Sequence, residues 1–356
     1  MRLNRRLQDS SLLNEPAVRV QSGRSKVLES FGSSKIIEHI ASQTNLTLPH
    51  SGSEKAQLLS RKSFNRHLAL KLGLSVPDGE VCENIEDIPG AIRAIQTRGD
   101  ACAVVIKPDI GASGRGQFLI RDNEEAENLF NMINRGDWET PETNYVVERW
   151  YPKATTLSFE FHINRGGQIS PAFNPRKALI DKYGRDYGYV YPVKINNNFL
   201  NEIRSASKVL ATELWEEYQY HGPVRSDALI LSNGHIFPVL ELNARHSFFY
   251  FIDSLHNKLS DQSAGLFSWF FFRTIKNLKF ERFIDKFIGK DLRFSPPKKE
   301  GAIVPIWSTV KGVENIKHFD DEYSLRRLFV FIISTSPARA VKTANAIRKK
   351  IDNGFR

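Results

Sequence analysis

The sequence predicts an α/β (α+β) protein, and three features carry that expectation. Short β-branched and aromatic runs at 104–106, 145–147 and 328–333 alternate with stretches of 3.6-residue apolar periodicity. Two strand-like segments, 224–231 and 237–243, flank Ser232-Asn233-Gly234, a strong hairpin signal. With 356 residues, 41% apolar and 25% charged, the chain exceeds one average domain and suffices for a sizeable core.

Residues 1–60 are polar, with Gly, Ser and Gln scattered around one helical patch at 35–41. Residues 61–100 are a helical lead-in: Arg61 and Lys62 open a helix that runs to Leu72, Gly73 stops it, and Leu74-Ser75-Val76-Pro77 leaves extended. Residues 101–151 read as a small lobe, with strands at 104 and 117–120, a helix over 124–134 and a buried strand from Tyr145 toward Pro152. A larger lobe, 152–260, holds a helix over 200–218 and the hairpin. In 261–356, Ile275, Leu278, Arg282 and Lys286 partition by helical periodicity and predict a helix within 273–299. A strand at 328–333 and a helix over 337–351 close the fold.

Chemistry concentrates in the hairpin. Glu241, Asn243 and Arg245 alternate along one strand, so their side chains share a face. A two-residue loop at Asn233-Gly234 would pair Asp227 with Leu240 and send it to the opposite face. A three-residue loop ending on a left-handed Gly234 pairs Arg225 with Glu241 and Asp227 with Val239, and lines up Arg225, Asp227, Glu241, Asn243 and Arg245. The second register is expected, because five converging polar groups make a site where any one alone is a solvated charge. Carboxylate and amide oxygens suit Mg²⁺, which takes oxygen ligands at roughly 2.1 Å and bridges phosphates; the arginines suit phosphate or carboxylate.

Upstream, Val104-Val105-Ile106 ends on Lys107 and Pro108, followed by Gly111-Ala112-Ser113-Gly114-Arg115-Gly116. Glycines there let backbone N–H groups approach a phosphate, and Lys107 supplies a point charge. The run is not a P-loop, for no GK[ST] ends it. The competing reading is an ordinary turn between two strands.

Taken in order, Lys62 on a helix before GLSVP, VVIKP with GASGRG, VVERWY, RSDALIL and LELNAR resemble the ATP-grasp superfamily over residues 62–245. That resemblance implies two α/β lobes with ATP between them and a reduced or divergent N-terminal region. It implies that Lys62 and Lys107 contact ATP phosphates and that the loop carrying Gly111, Ser113, Gly114 and Gly116 folds over the γ-phosphate. Glu148, Arg149, Trp150 and Tyr151 would form the hinge whose backbone reads adenine. Asp227, Glu241 and Asn243 would hold two Mg²⁺ (or Mn²⁺), while Arg225 and Arg245 stabilise the reacting phosphoryl and acyl oxygens. One departure is Thr156, standing where relatives often place an acidic residue for the ribose.

The implied reaction joins a carboxylate to an amine or thiol through an acyl phosphate, releasing ADP. RKSFNRHLALKLGLSVPDG and ELNARHSFF narrow the resemblance to amino-acid and peptide ligases of natural-product pathways, of the pheganomycin and butirosin types. No covalent residue is required: the cysteines are only Cys82 and Cys102, and no GxSxG occurs. Arg176 or Lys177, in Asn174-Pro175-Arg176-Lys177, either reaches phosphate or substrate carboxylate or lies in a solvated basic turn. His246 and Ser247 either face the acceptor or serve structure, the second being the preferred reading.

Two cysteines exclude a disulfide framework. No apolar h-region opens the chain and no apolar run nears the roughly 18 residues of a membrane helix, so a cytoplasmic enzyme with no membrane partner is expected. Residues 271–356 carry nineteen Lys and Arg against nine Asp and Glu, an excess equal to the net charge of +10. That basic tail is either a generic solvated surface, the preferred reading, or a site for an acidic partner, be it nucleic acid, an anionic membrane or an acidic carrier protein, of which the last fits a biosynthetic ligase. Two further classes stay open: a phosphotransferase on the same scaffold, and a basic nucleic-acid-binding protein, which would have no use for Asp227 or Glu241.

Overall fold

The elements follow in chain order as α1 (Lys35–Thr44), α2 (Ser53–Leu59), α3 (Lys62–Lys71), β1 (Gly79–Cys82), α4 (Ile88–Thr97), β2 (Val104–Pro108), β3 (Phe118–Ile120), α5 (Asn123–Asn134), β4 (Tyr145–Arg149) and β5 (Thr155–Ile163). Then come β6 (Arg176–Ile180), β7 (Asp186–Tyr191), α6 (Asn197–Glu216), β8 (Gly222–Ile230), β9 (Ile236–Asn243), α7 (Phe248–Leu259) and β10 (Ala264–Ile275). The chain ends with α8 (Phe280–Phe283), a π-helical turn (Ile284–Ile288), α9 (Gly289–Leu292), β11 (Gly301–Ile303), β12 (Tyr323–Ser334) and α10 (Pro337–Gly354). This computed structural model describes residues 26–98, 103–111, 116–135, 144–151, 154–170, 174–181, 184–275, 279–306 and 323–354. Two units are distinguished: Met1–Asn174 with Ile195–Phe248, and Pro175–Lys194 with Phe249–Arg356.

Local signals place the helices of the first unit. Ser34 caps α1 by accepting from the Ile37 N–H at 3.3 Å, and Asn45, at φ 52°, ends that helix in the left-handed region. Asp122 caps α5 through the Glu125 N–H at 2.8 Å, and Pro89 sits in the first turn of α4. Strands β1, β4, β2 and β3 form an antiparallel sheet in that order. Ile88, Ile92 and Ile95 of α4 and Leu129 and Phe130 of α5 pack on its Val104, Ile106 and Val147. Each such fully buried side chain contributes about 1.5–3 kcal/mol relative to exposure. A second antiparallel group, β5, β8 and β9, carries the hairpin.

The hairpin turns as a three-residue loop: Leu231 N–H donates to the His235 carbonyl at 2.8 Å, and Gly234 adopts φ +86°. Leu229 then faces Phe237 and Ile230 faces Ile236, the expected register. Farther from the turn the register changes. Asp227 faces Glu241 and Arg225 faces Asn243, in place of Asp227 with Val239 and Arg225 with Glu241. Between these pairs Ala228 alone opposes Pro238, Val239 and Leu240, and Pro238 has no N–H for the ladder. Because the bulge displaces the strand by two residues, it preserves parity, and Arg225, Asp227, Glu241 and Asn243 keep their common face, while Arg245 follows in a bend just past β9.

In the second unit, β6, β7, β10, β12 and β11 are adjacent in that order and antiparallel. The aromatic run 266–272 lies in β10, which pairs with β12 from Ala264↔Ser334 to Ile275↔Tyr323. Phe283, Phe287 and Ile288, with Ala340, Ala344, Ile347 and Ile351 of α10, cover Leu266, Phe270, Leu328, Val330 and Ile332. The helix expected within 273–299 is therefore shorter. Residues 273–275 finish β10, the helical run spans 280–292, and Pro296 and Pro297 stand where its continuation would need backbone donors. Arg176 is no solvated turn: it lies on β6 at 3% exposure, ion-paired with Asp253 and set 4.8 and 4.3 Å from the Tyr191 and Phe249 rings. Among the described residues, no helix is long and apolar enough to cross a membrane.

Phe283, at 0% exposure, is central to the helix-on-sheet packing of the second unit. Truncation by Phe283→Ala should cost about 3–5 kcal/mol, read as a lowered denaturant midpoint for the transition reported by Trp269 fluorescence.

Candidate functional site

Helix α3 enters the site because a carboxylate from another element holds its first turn. Asp109, two residues after Lys107, is 0% exposed; its Oδ1 accepts from the Ser63 N–H at 2.8 Å and its Oδ2 pairs with Arg61 at 3.0 Å. Its backbone carbonyl accepts from the Lys62 N–H at 3.1 Å. A negative group on the first N–H groups of a helix satisfies orphan donors and complements the helix dipole. Lys62 Nζ thereby lies 3.2 Å from the Gly111 carbonyl and 3.9 Å from Glu241 Oε1.

One turn later, Asn65 donates to the Leu242 carbonyl of β9 at 3.2 Å, and Arg66 donates to the Pro77 carbonyl at 2.9 Å and to that of Gly79. The Arg66 guanidinium also reaches Glu148 Oε1 at 3.1 Å, while Lys107 pairs with Glu148 Oε2. Glu148, at 5% exposure, thus sits between two cations.

On the hairpin face, Arg225 donates through Nε to Ser158 Oγ at 2.8 Å and through a terminal nitrogen to both Asp227 oxygens at 3.2 and 3.3 Å. The Asn243 amide donates to Glu241 Oε1 at 3.2 Å, and Arg245 donates to Asn243 Oδ1 at 2.9 Å. Burial pushes the Glu241 carboxyl up, but Lys62, Arg225 and Lys107, with the Asn243 amide, outweigh it and hold Glu241 below the ordinary carboxylate range. The Arg245 guanidinium lies 5.3 Å over the Phe31 ring.

The structure thus brings together Lys62, Arg225, Asp227, Glu241, Asn243 and Arg245, with Lys107 joined through Glu148. Gly111 enters through its carbonyl, and Gly116 takes φ +74°, where a side chain is strained. Ser113 and Gly114 lie outside the described residues. In the segment expected to read adenine, the Arg149 N–H donates to the Asp78 carbonyl and the Trp150 N–H to the Ala103 carbonyl, both at 2.7 Å. Tyr151 packs its ring 5.3 Å from that of Phe237. Thr156 stands opposite Leu229 on β8.

As a cation site, the donor set fits a hard ion that shares its ligands. Among the described residues no cluster of three His, Cys, Asp or Glu side chains is placed to hold a metal ion. Two facing carboxylates and an amide oxygen leave part of an oxygen shell to phosphate and water.

Sequence reasoning missed Asp109, Arg66 and Glu160. Arg66 had a signal in its position four residues after Lys62 on one helix face, and Asp109 in the Lys-Pro-Asp run ending β2. Glu160 had none, because it acts across strands. It accepts from Ser247 through N–H at 2.7 Å and through Oγ, and lies 2.9 Å from His246 Nδ1. Glu29 lies 2.7 Å from His246 Nε2, so His246 is a satisfied structural histidine at 5% exposure.

No family model matches the chain. It is 25% identical over 187 residues to the [butirosin acyl-carrier protein]--L-glutamate ligase of Niallia circulans, a match covering 52% of this chain and 43% of that protein. The chain therefore spans less than half the length of this curated relative. Among solved structures, N5-carboxyaminoimidazole ribonucleotide synthetase in complex with ADP is similar at TM-score 0.60 and 15% identity, covering 98% of this chain and 85% of that one. Biotin carboxylase from Campylobacter jejuni, in a β,γ-ATP complex, is similar at TM-score 0.57 and 12% identity with the same coverage. The fold is the ATP-grasp fold.

Burial lowers the pKa of His246, but Glu160 and Glu29 more than offset it, and the net shift is upward from 6.5. A pKa raised on folding stabilises the protein fully below the unfolded value of about 6.5 and ceases to do so as the pH rises through the folded value. Denaturant stability measured against pH should therefore fall across that upper window in the natural protein, and His246→Gln should flatten the fall; parallel profiles would refute the coupling.

Proposed function

We propose that the chain is an ATP-dependent, ADP-forming ligase that activates a carboxylate as an acyl phosphate and joins it to an amine, with an amino acid or peptide as substrate in natural-product biosynthesis. The observation that carries this reading is the face of the β8–β9 hairpin on which Asp227, Glu241 and Asn243 stand with Arg225, joined there by Arg245 from just past β9 and Lys62 from α3. Such a face suits a polyphosphate and its counter-ions. The butirosin-type relative, named for ligating L-glutamate to an acyl-carrier protein, supports the ligase class and a carrier-tethered substrate.

In this reading a substrate carboxylate oxygen attacks the γ-phosphorus, and the bond to the bridging oxygen breaks with its electron pair leaving on ADP. The amine then attacks the acyl carbon, inorganic phosphate leaves with the C–O pair, and the amine gives up a proton. Lys62 and Lys107 bind phosphate oxygens, and the loop carrying Gly111, Ser113, Gly114 and Gly116 covers them. Arg225 and Arg245 stabilise charge on the phosphoryl and acyl oxygens. The segment from Glu148 to Tyr151 borders the adenine. Asp227, Glu241 and Asn243 would hold two Mg²⁺, replaceable by Mn²⁺, which when bound neutralise phosphate charge. No covalent enzyme intermediate is needed, since positioning and charge neutralisation supply the rate. We place the enzyme in the cytoplasm, where ATP is available.

Incubation with Mg·ATP and pooled amino acids, free and carrier-bound, should yield ADP and an amide product by mass. AMP would refute the acyl-phosphate route, and a stable phosphorylated product formed without a second substrate would replace ligation by phosphotransfer. Glu241→Gln should lower turnover at least about 100-fold with an unchanged unfolding midpoint, and retained activity would remove Glu241 from the site. Lys107→Ala should raise the KM for ATP about tenfold while the protein stays folded, since Arg66 still pairs Glu148; an unchanged KM would deny Lys107 its phosphate.

A further inference from the structure

The second unit contains a charged surface that the ligation chemistry does not use. The helical run 280–292 presents Arg282, Lys286 and Lys290 outward, all exposed, at successive four-residue steps. Phe283, Ile284, Phe287 and Ile288 turn into the core. Helix α10 presents Lys342, Asn345 and Lys349 outward at helical spacing and buries Ala340, Ala344, Ile347 and Ile351. The two elements lie side by side. Lys350 Nζ reaches Asp291 at 3.4 Å and the Ile288 carbonyl at 3.4 Å, and Lys286 Nζ reaches the Gly354 carbonyl at 3.5 Å. Lys290 and Lys349 are thus the sequence neighbours of a bridged pair. Among the described residues, Arg282, Lys290, Lys342 and Lys349 have no hydrogen bond or ion pair through their side chains. Glu281, Asp285 and Asp291 balance the cations of the run 280–292, and Asp352 is the acid of α10, whose Arg339, Lys342, Arg348, Lys349 and Lys350 leave the sign of the joint surface positive.

We propose that this surface docks an acidic helix of a carrier protein that delivers the tethered substrate. The inference rests on the ligase reading above. Three features favour a protein partner over other polyanions. A membrane-binding amphipathic helix must offer an apolar face to lipid, and here both apolar faces are sealed in the core. Single-stranded nucleic acid needs aromatic platforms beside the cations, whereas Phe283 and Phe287 of this run are fully buried. Cations repeating at one helical turn match carboxylates repeating at the same step on a facing helix.

The test uses the full chain and a purified holo acyl carrier protein as probe. The natural protein should bind it, with affinity falling as salt shortens the Debye length below about 8 Å. The combined variant Arg282→Glu, Lys290→Glu, Lys342→Glu and Lys349→Glu should bind at least about tenfold more weakly, while Lys290→Arg with Lys349→Arg keeps the affinity. The KM for a carrier-tethered substrate should rise in the charge-reversed variant, and that for the same group on free pantetheine should not. Equal binding by variant and natural protein would overturn the proposal. So would tighter binding of phosphatidylserine vesicles or a single-stranded oligonucleotide, which would reassign the surface to lipid or nucleic acid. If neither protein ligates the free substrate, the ligase reading fails, and the binding titration still decides the surface.

Discussion

Two buried carboxylates, Asp109 and Glu148, fix the position of α3 and with it the reach of Lys62 and Lys107. A carboxylate taken out of water costs several kcal/mol unless partners replace its hydration. Asp109 finds them in Arg61 and the Ser63 N–H of α3; Glu148 finds them in Arg66 and Lys107. The arrangement is cooperative in a particular way, because each carboxylate is shared between the helix and the end of β2. Removing one partner leaves a buried charge short of compensation. The clasp therefore ties the helix, the strand before the Gly-rich loop and β4 into one register, and Asn65 extends the tie to β9.

Charge on the hairpin face is balanced internally. Asp227 is held by Arg225, Glu241 by the Asn243 amide with Lys62 beside it, and Asn243 by Arg245. Acceptors and donors alternate at two-residue spacing along β8 and again from β9 into the bend at Arg245, so each group stands beside its complement. That arrangement holds Glu241 below the ordinary carboxylate range although the side chain is only partly exposed. A ligand combining phosphate oxygens with divalent cations carries the same two signs, and can exchange partners with this face while total charge stays compensated. A site built of carboxylates alone would repel such a ligand, and one built of cations alone would not retain its divalent ions.

The sequence was legible where parity and periodicity governed. The common face of Arg225, Asp227, Glu241 and Asn243 survived because parity is set by the three-residue loop and a bulge of two residues leaves it unchanged. The pairing itself was not legible, since nothing local announces how many residues Pro238 displaces. The helix at 62–71 was readable from Gly73, whereas its anchor Asp109 was hidden by being forty-six residues away. Arg176 stayed open between a ligand contact and a solvated turn for a related reason. Next to Pro175 it reads as a turn, and only a long-range pair with Asp253 and the flanking Tyr191 and Phe249 rings make its burial tolerable. The tail misled through composition: a run of aromatics and bases satisfies a helical template even where β12 recruits 273–275 into a strand.

The placement of charge in the second unit is an argument about selection as much as about folding. Its core is assembled by Phe283, Phe287 and the small and branched residues of α10 against the sheet, and the exposed Lys290, Lys342 and Lys349 are not among the residues that form it. Like charges on adjacent helices repel, so a surface of one sign reduces stability unless a partner supplies the other. Solubility alone would be served by mixed charge spread along the chain, yet residues 1–270 are balanced and the excess falls entirely within 271–356. A segregated excess is what an electrostatically recruited partner requires, because steering acts through the summed field of a surface and only weakly through any single pair.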